Sequence, residues 1–329
     1  MMQISPETQL FIREHSSDDV RVLALQAKKY PDIDMPTAIT QIAGRKVAAE
    51  KIPSWWEIEK IWYPKHLSLE QCSSEITARY KARLLQGDSL TDLTGGFGID
   101  CSFLATGFKS ATYVERQEEL CEIAAHNFPV LNLNHINIKN EDGVTYLQVM
   151  SPVDSLFLDP ARRNEHGGKT VAISDCEPNV AELEELLLQK ANRVMIKLSP
   201  MLDLSLALKE LKQTQEVHIL SVNNECKELL ILLGQTSPAE ISIHCVNLFT
   251  KGTQKEQHFV FTREQEQCSE CTYTDSLETY LYEPNASLLK AGAFRSIAAA
   301  YPVRKLHPNS HLYTSDTFIE NFPGRIFRI

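Results

Sequence analysis

Hydrophobic and polar positions follow two rhythms along this chain of 329 residues. Up to about residue 86 apolar residues recur at helical spacing and no alternating strand pattern occurs. Ser16-Ser17-Asp18-Asp19 supplies cap residues and early acids to VRVLALQAKKY, which Pro31 closes. Ser68-Leu69-Glu70-Gln71 has capping-box spacing and predicts a long helix, CSSEITARYKARLLQ, ended by Gly87. Trp55, Trp56 and Trp62 lie in a proline-bounded segment and read as packing anchors.

From about 88 to 235 short apolar strands alternate with helices. SLTDL, ATYVE, INIKN, DSLFLD and VMIKL read as strands, each followed by a helical segment. EVHILSV and KELLILLG then face each other across Asn223-Asn224, a turn-favouring pair that predicts an antiparallel hairpin. Five β/α units closed by a hairpin describe an α/β, doubly wound, mostly parallel sheet with an antiparallel edge. EISIHCVNL and HFVFTRE predict a further hairpin. TYLYEP, one helix over NASLLKAGAFRSIAAAY and a loop through HPNSHLYTSD make a small α+β unit. The expected divisions are 1–86, helical; 87–238, the wound sheet; 239–275, hairpin and linker; and 276–329, the small unit. The chain stops on the strand-like GRIFRI, so a piece of a longer protein is expected.

Composition changes this picture little. The chain is 43% apolar and 23% charged, enough for about two or three ordinary domains. No run approaches the roughly 18 apolar residues that span a bilayer, and MMQISPETQL lacks a signal pattern. Eight scattered cysteines read as reduced thiols, and the expected location is cytoplasmic. Cys268-Ser-Glu-Cys271 has no second Cys/His pair at a finger distance, and the ten histidines show no metal-ligand spacing, so no metal is expected. The net charge of −10 argues against non-specific coating of nucleic acid. Residues 284–329, however, carry six basic side chains against Asp316 and Glu320, which permits a localised polyanion contact.

The chemistry concentrates in TDLTGGFGID, residues 91–100. A Walker loop needs a lysine after its last glycine, but Ile99-Asp100 follow Gly98. A dinucleotide fingerprint needs a third glycine, and Asp92 would repel a pyrophosphate. A ligand with a cationic end reverses that argument. S-adenosylmethionine carries an ammonium and a sulfonium and no phosphate. Asp92 can balance the ammonium, while Gly96 and Gly98 let the backbone pass close to the methionine moiety. The plain alternative is a strand-to-helix turn.

Later strand ends each supply a polar group. Glu115 can accept from both ribose hydroxyls, Asp142 from the adenine amine with Gly143 allowing close approach, and Asp159 lies beside the transferable methyl. Each acid alone is also a possible helix N-cap. Lys197 ends the fifth strand and is expected to face the same cleft, either to hold a substrate phosphate or to pair with Asp159.

DLTGGFGID, YVER, NEDG and LDPARR, in that order, resemble motifs one to four of class I S-adenosylmethionine-dependent methyltransferases. With SSEITARYKA, IKLSPMLD, NECKELL and YLYEPNASLLKAG, nearly the whole chain resembles a narrower bacterial family. That family joins a helical N-terminus and a Rossmann-like methyltransferase domain to a ferredoxin-like unit and a THUMP-like C-terminal domain. The resemblance implies S-adenosylmethionine as cofactor and RNA, tRNA or rRNA, as substrate. Only the start of a THUMP-like domain would fit after about residue 318. The implied cofactor set is Asp92, Thr94, Gly96, Gly98, Glu115, Arg116, Asp142, Gly143 and Asp159. Asp159, Pro160, Arg162 and Lys197 form the implied catalytic set.

Asp159-Pro160-Ala161-Arg162 departs from the Asp/Asn-Pro-Pro-aromatic pattern of enzymes that methylate base amines. Arg162 can stack on a base, bind phosphate or pair with Asp159. Arg163, Asn164, Gly167, Gly168 and Lys169 read as a substrate lid or an ordinary loop. Neither Cys176 nor Cys226 has a motif supporting a nucleophile. Methylation of a protein or small molecule, or a decayed adaptor that binds S-adenosylmethionine or RNA, are the alternatives.

Overall fold

In the computed structural model polar caps open the first helices. Ser5 Oγ accepts from Thr8 N before Pro6–Glu14, Asp19 from Arg21 N before Val20–Leu25, and Asp34 from Thr37 N before Met35–Lys51. The structure describes residues 4–162, 172–236 and 238–329, and the chain divides into two units, Met1–Leu158 and Asp159–Ile329. Apolar faces of the first helices meet in a cluster of Phe11, Leu23, Met35, Ala38 and Ile42. Each large side chain buried there contributes about 1.5–3 kcal/mol.

The expected cap at Ser68 is displaced. Ser68 lies inside a short helix, His66–Gln71, and Ser74 precedes the next, Glu75–Ala82, which stops well before Gly87. Trp55 anchors a second cluster with Ile52, Tyr63, Leu69, Phe97 and Ile99. Its ring meets Phe97 edge-on at 5.2 Å, whereas Trp56 is exposed. The helical segment and the glycine turn therefore share one core.

Four parallel strands follow in the same unit: β1 (Ser89–Asp92), β2 (Ser110–Glu115), β3 (Ile136–Asn140) and β4 (Val153–Leu158). Their order is β3-β2-β1-β4, so β1 is central, with Asp92 opposite Tyr113 on one side and Phe157 on the other. Helices Ile99–Ala105, Glu118–Val130 and Gly143–Val149 make the crossovers. This is the doubly wound arrangement the alternation predicts, and it gathers the strands' carboxyl ends on one edge.

The second unit opens with a small ladder, β5 (Ala161–Arg162) against β6 (Cys176–Glu177). Five longer strands follow: β7 (Ala191–Leu198), β8 (Thr214–Val222), β9 (Glu225–Gly234), β10 (Ser242–Leu248) and β11 (Glu256–Thr262), ordered β7-β9-β8-β10-β11. Asn223 and Asn224 take φ of 49° and 67°, the left-handed pair that a two-residue hairpin requires. The hairpin of β10 and β11 adds to β8, with β10 parallel to it.

A separate antiparallel sheet, β13-β14-β12-β15, is built from β12 (Tyr280–Pro284), β13 (Arg304–Lys305), β14 (Tyr313–Ser315) and β15 (Gly324–Arg328). Two expectations change here. The single helix divides at Gly292 (φ 75°) into Ala286–Ala291 and Phe294–Ala300, and the expected loop contains β14. The Glu266 carboxylate accepts from the amides of Phe294, Arg295 and Ser296 and so starts the second helix. Among the described residues no helix is long and apolar enough to cross a membrane, and all eight cysteines are free.

Candidate active site

Asp92 ends β1 and is buried, 1% exposed, with its Oδ1 accepting from Thr94 N at 2.9 Å. Glu115 ends β2, also buried. One of its oxygens accepts from Gly96 N at 2.9 Å and the other from Gln117 N at 2.8 Å. Tyr113 donates its hydroxyl to the Gly96 carbonyl. Two adjacent strand ends thus hold the glycine turn by its backbone. Each carboxylate oxygen has a second lone pair, so these bonds are compatible with further acceptance from a ligand.

The three glycines of the turn serve different purposes. A Cβ on Gly95 would lie 2.2 Å from the Tyr113 ring, and one on Gly98 (φ 86°) would lie 3.1 Å from Phe128. Those two positions are small because the protein's own aromatics occupy the space. Gly96 (φ 54°) differs: the nearest neighbour of its Cβ would be Thr94 O at 3.7 Å, an ordinary contact with no crowding. Of the three, Gly96 alone leaves room for a ligand beside the backbone.

Charge around the turn is negative. Burial first, then Asp92 and Asp100, push the Cys101 thiol well above its usual range. Burial first, then Glu115 and other neighbours including Asp92, push the Tyr113 phenol up likewise. Burial is the larger cause at both groups; the buried carboxylates of Asp92 and Glu115 themselves make the turn acidic, which disfavours an anion and favours a cation. An uncrowded glycine in an acidic surround fits the methionine end of S-adenosylmethionine and does not fit a pyrophosphate.

Asp142 is exposed and caps the helix Gly143–Val149, Oδ1 accepting from Val144 N and Thr145 N at 3.0 and 2.9 Å. A Cβ on Gly143 would lie 2.2 Å from Leu93 O, so this glycine brings the helix start against the residue following Asp92. Arg116 is exposed, and its carbonyl with that of Glu115 accepts from Asn140 Nδ2. Asp92, Thr94, Gly96, Gly98, Glu115 and Gly143 are brought together around the turn, with Asp142 beside them.

In the second unit Asp159 and Lys197 form an ion pair at 2.6 Å, their side chains 38% and 9% exposed. Of the two roles expected for Lys197, this is the pairing. Lys197 sits near the end of β7, in register with Leu230 of β9. Pro160 is buried. The backbone of Arg162 pairs with Cys176, while its side chain and the expected lid at Arg163, Asn164, Gly167, Gly168 and Lys169 lie outside the described residues.

Several supporting residues escaped the sequence reading. Tyr113, Phe128 and Asn140 shape the turn, yet nothing in ATYVE or INIKN marks them out. Lys81 is fully buried, pairs with Asp100 Oδ1 at 2.9 Å and donates to Ser73 Oγ at 2.7 Å, which donates to Asp100 Oδ2 at 2.7 Å. This triad ties SSEITARYKA to the helix after the glycine turn. The available signal was the second acid of TDLTGGFGID, Asp100.

A family profile described as a ferredoxin-like domain matches residues 280–323, the segment of β12 to β14. No curated protein matches the chain. A crystal structure from Porphyromonas gingivalis W83, described as a "putative methyltransferase", is 35% identical, with a TM-score of 0.86, covering 100% of this chain and 83% of that one. An rRNA methylase from Streptococcus thermophilus is 15% identical at a TM-score of 0.35, over 48% of this chain and 93% of its own. A Streptococcus mutans protein, described as a "putative methyltransferase" in complex with SAH, is 14% identical at 0.35, over 49% of this chain and 96% of its own. The last two are too distant to bear on this chain's substrate. With its identity to the Porphyromonas protein, its wound sheet and its ferredoxin-like unit, the chain belongs to that protein's family of class I S-adenosylmethionine-dependent methyltransferases.

Proposed function

We propose that this chain transfers the methyl group of S-adenosylmethionine to RNA, tRNA or rRNA, with Asp159 orienting the acceptor. Bound at the glycine turn, the cofactor supplies an electrophilic methyl on a sulfonium. Asp92 meets its ammonium directly or through water, Glu115 its ribose hydroxyls and Asp142 its adenine amine. Gly96 leaves room for the methionine chain. Asp159 comes two residues after Phe157, the register partner of Asp92.

The observation that carries the role given to Asp159 is its pair with Lys197. Lys197 is buried and keeps a carboxylate oriented that is still 38% exposed. An acid so held accepts a hydrogen bond from an acceptor N–H and fixes its direction. In-line transfer asks mainly for such positioning. Arg162 contacts the substrate on this reading, by stacking or by phosphate.

One observation favours a second reading, a protein or small-molecule acceptor. Much of the C-terminal positive charge is used inside the unit. Arg304 pairs with Glu278 and Arg325 with Glu283, while Lys305 and Lys290 donate to the carbonyls of Pro308 and Leu202. The RNA assignment therefore rests on the family resemblance more than on surface charge. Incubation with labelled S-adenosylmethionine and total RNA or total protein separates the two. Label in RNA is expected; label in protein alone overturns the assignment. Titration of Asp92→Asn with S-adenosylmethionine tests the cofactor edge. A loss of about ten- to a hundredfold in affinity is expected for a charged hydrogen bond, and unchanged affinity removes Asp92 from the site.

A further inference from the structure

Strand register gathers histidines that are far apart in sequence. Glu216 lies opposite Ser242 and His218 opposite His244 where β8 and β10 run parallel. On β11, His258 stands opposite Val246, one same-face step from His244. Side chains two apart share a face, so one acid and three imidazoles occupy one side of three neighbouring strands.

The contacts are close. His218 Nε2 is 3.2 Å from Glu216 Oε2, and His244 Nδ1 is 3.1 Å from His258 Nε2. The His218 and His244 rings stack with centroids 4.3 Å apart. Donor atoms of Glu216, His218 and His244 all lie within 4.8 Å of one another. A tetrahedral zinc shell with bonds of about 2.0–2.1 Å sets its donors about 3.3–3.5 Å apart. The Glu216–His218 separation is near that spacing, and side-chain shifts on the order of 1 Å bring His244 to it.

Arg193 takes one Glu216 oxygen, Oε1, at 3.0 Å, and the other, Oε2, faces His218 at 3.2 Å. Carboxylate and imidazole together are a ligand set for zinc and its neighbours.

We propose that Glu216, His218 and His244 bind one divalent transition metal ion of the zinc class, clipping β8 and β10 together, with His258 of β11 holding the His244 ring by a hydrogen bond. The ion serves the sheet and takes no part in methyl transfer. The site is independent of the substrate reading above.

The test uses the full chain without a histidine tag. Zn2+ is titrated in competition with a chromophoric chelator, and Co2+ absorption reports coordination geometry. The wild type is expected to bind one equivalent at micromolar or tighter affinity, with a tetrahedral Co2+ spectrum and a zinc-dependent rise in melting temperature. His244→Asn and, at the exposed rim, His258→Asn should each weaken binding at least about tenfold. Both are compared with the wild type in EDTA, where equal melting curves show an intact fold. Wild-type affinity in both variants overturns the site, as does zinc binding that disappears with Cys268→Ser/Cys271→Ser instead.

Discussion

Two lysine–aspartate pairs stand in different parts of this molecule and do different work. Lys81 and Asp100 meet at 2.9 Å with side chains 0% and 10% exposed, and Ser73 closes their triangle. Lys197 and Asp159 meet at 2.6 Å, but the carboxylate is 38% exposed. In the first pair both charges are withdrawn from water and spent on each other, fixing the helix that follows the glycine turn. In the second the lysine is withdrawn and the acid is left partly in reach of a substrate. The same two residue types thus build a rivet in one place and an orienting arm in the other, and exposure decides which.

The sharpest way to break that comparison is to remove each lysine. Lys81→Met leaves Asp100 and Ser73 without their cation in a buried site. The expected cost is about 3–5 kcal/mol, read as a fall in the denaturant midpoint and tested by chemical unfolding. Lys197→Met leaves an acid that water can reach, so stability should change much less. Turnover should instead fall on the order of a hundredfold through misplacement of the acceptor, with affinity for S-adenosylmethionine unchanged. If Lys197→Met unfolds the protein as readily as Lys81→Met, the two pairs are equivalent and the orienting role of Asp159 loses its support.

The turn beside the first pair allows the same distinction at the scale of one methyl group. Gly95→Ala places a carbon against the Tyr113 ring and should cost about 1–3 kcal/mol of stability, the range for overpacking. Gly96→Ala meets no atom closer than 3.7 Å and carries only the strain of a left-handed residue, about 1–2 kcal/mol. Its expected signature is weaker cofactor binding, because the new methyl takes the room proposed for the methionine chain. Isothermal titration of both variants, with melting curves alongside, compares them directly. Equal binding by Gly96→Ala and the wild type would mean that no ligand passes there.

Much of this was legible in the sequence because it depends on local rules. Alternating strands and helices gave the wound sheet, and Asn223-Asn224 gave its hairpin, since a two-residue turn needs residues that tolerate positive φ. Local rules failed where a distant group intervened. Gly292 and the Glu266 carboxylate divide what reads as one helix, and Ser74 precedes the helix for which Ser68 carries the sequence signal. The glycines of TDLTGGFGID were visible as a set, but which of them is uncrowded was not, because Tyr113 and Phe128 reach the others from other elements. The histidines of β8, β10 and β11 could not be grouped without the order β8-β10-β11. The charge of residues 284–329 was counted correctly yet overstated the basic surface, since its partners Glu278 and Glu283 precede the window.

A third aspartate shows the weakest way of holding such a group, by amides and a hydroxyl with no cation among the described residues. Asp154 accepts from the amides of Asp88 and Ser89 at 2.8 and 2.9 Å and from Ser89 Oγ at 2.9 Å, fastening the start of β4 to the start of β1. The Ser89 hydroxyl first, then the two amides, hold its carboxyl below the ordinary value of 3.8. Because the folded state binds this proton less readily than the unfolded state, the contribution is fully present above about 3.8. It is lost as pH falls through the lower folded value. Asp154→Asn should therefore narrow the gap between denaturant midpoints measured at pH 6 and at pH 3, by a small amount because the group is only partly buried. Its affinity for S-adenosylmethionine should match the wild type, since the acid stands at the opposite end of β1 from Asp92. An unchanged gap would show that the contacts at the start of the strand carry no measurable stability, and that among these three aspartates only exclusion from water makes an aspartate's bonds count.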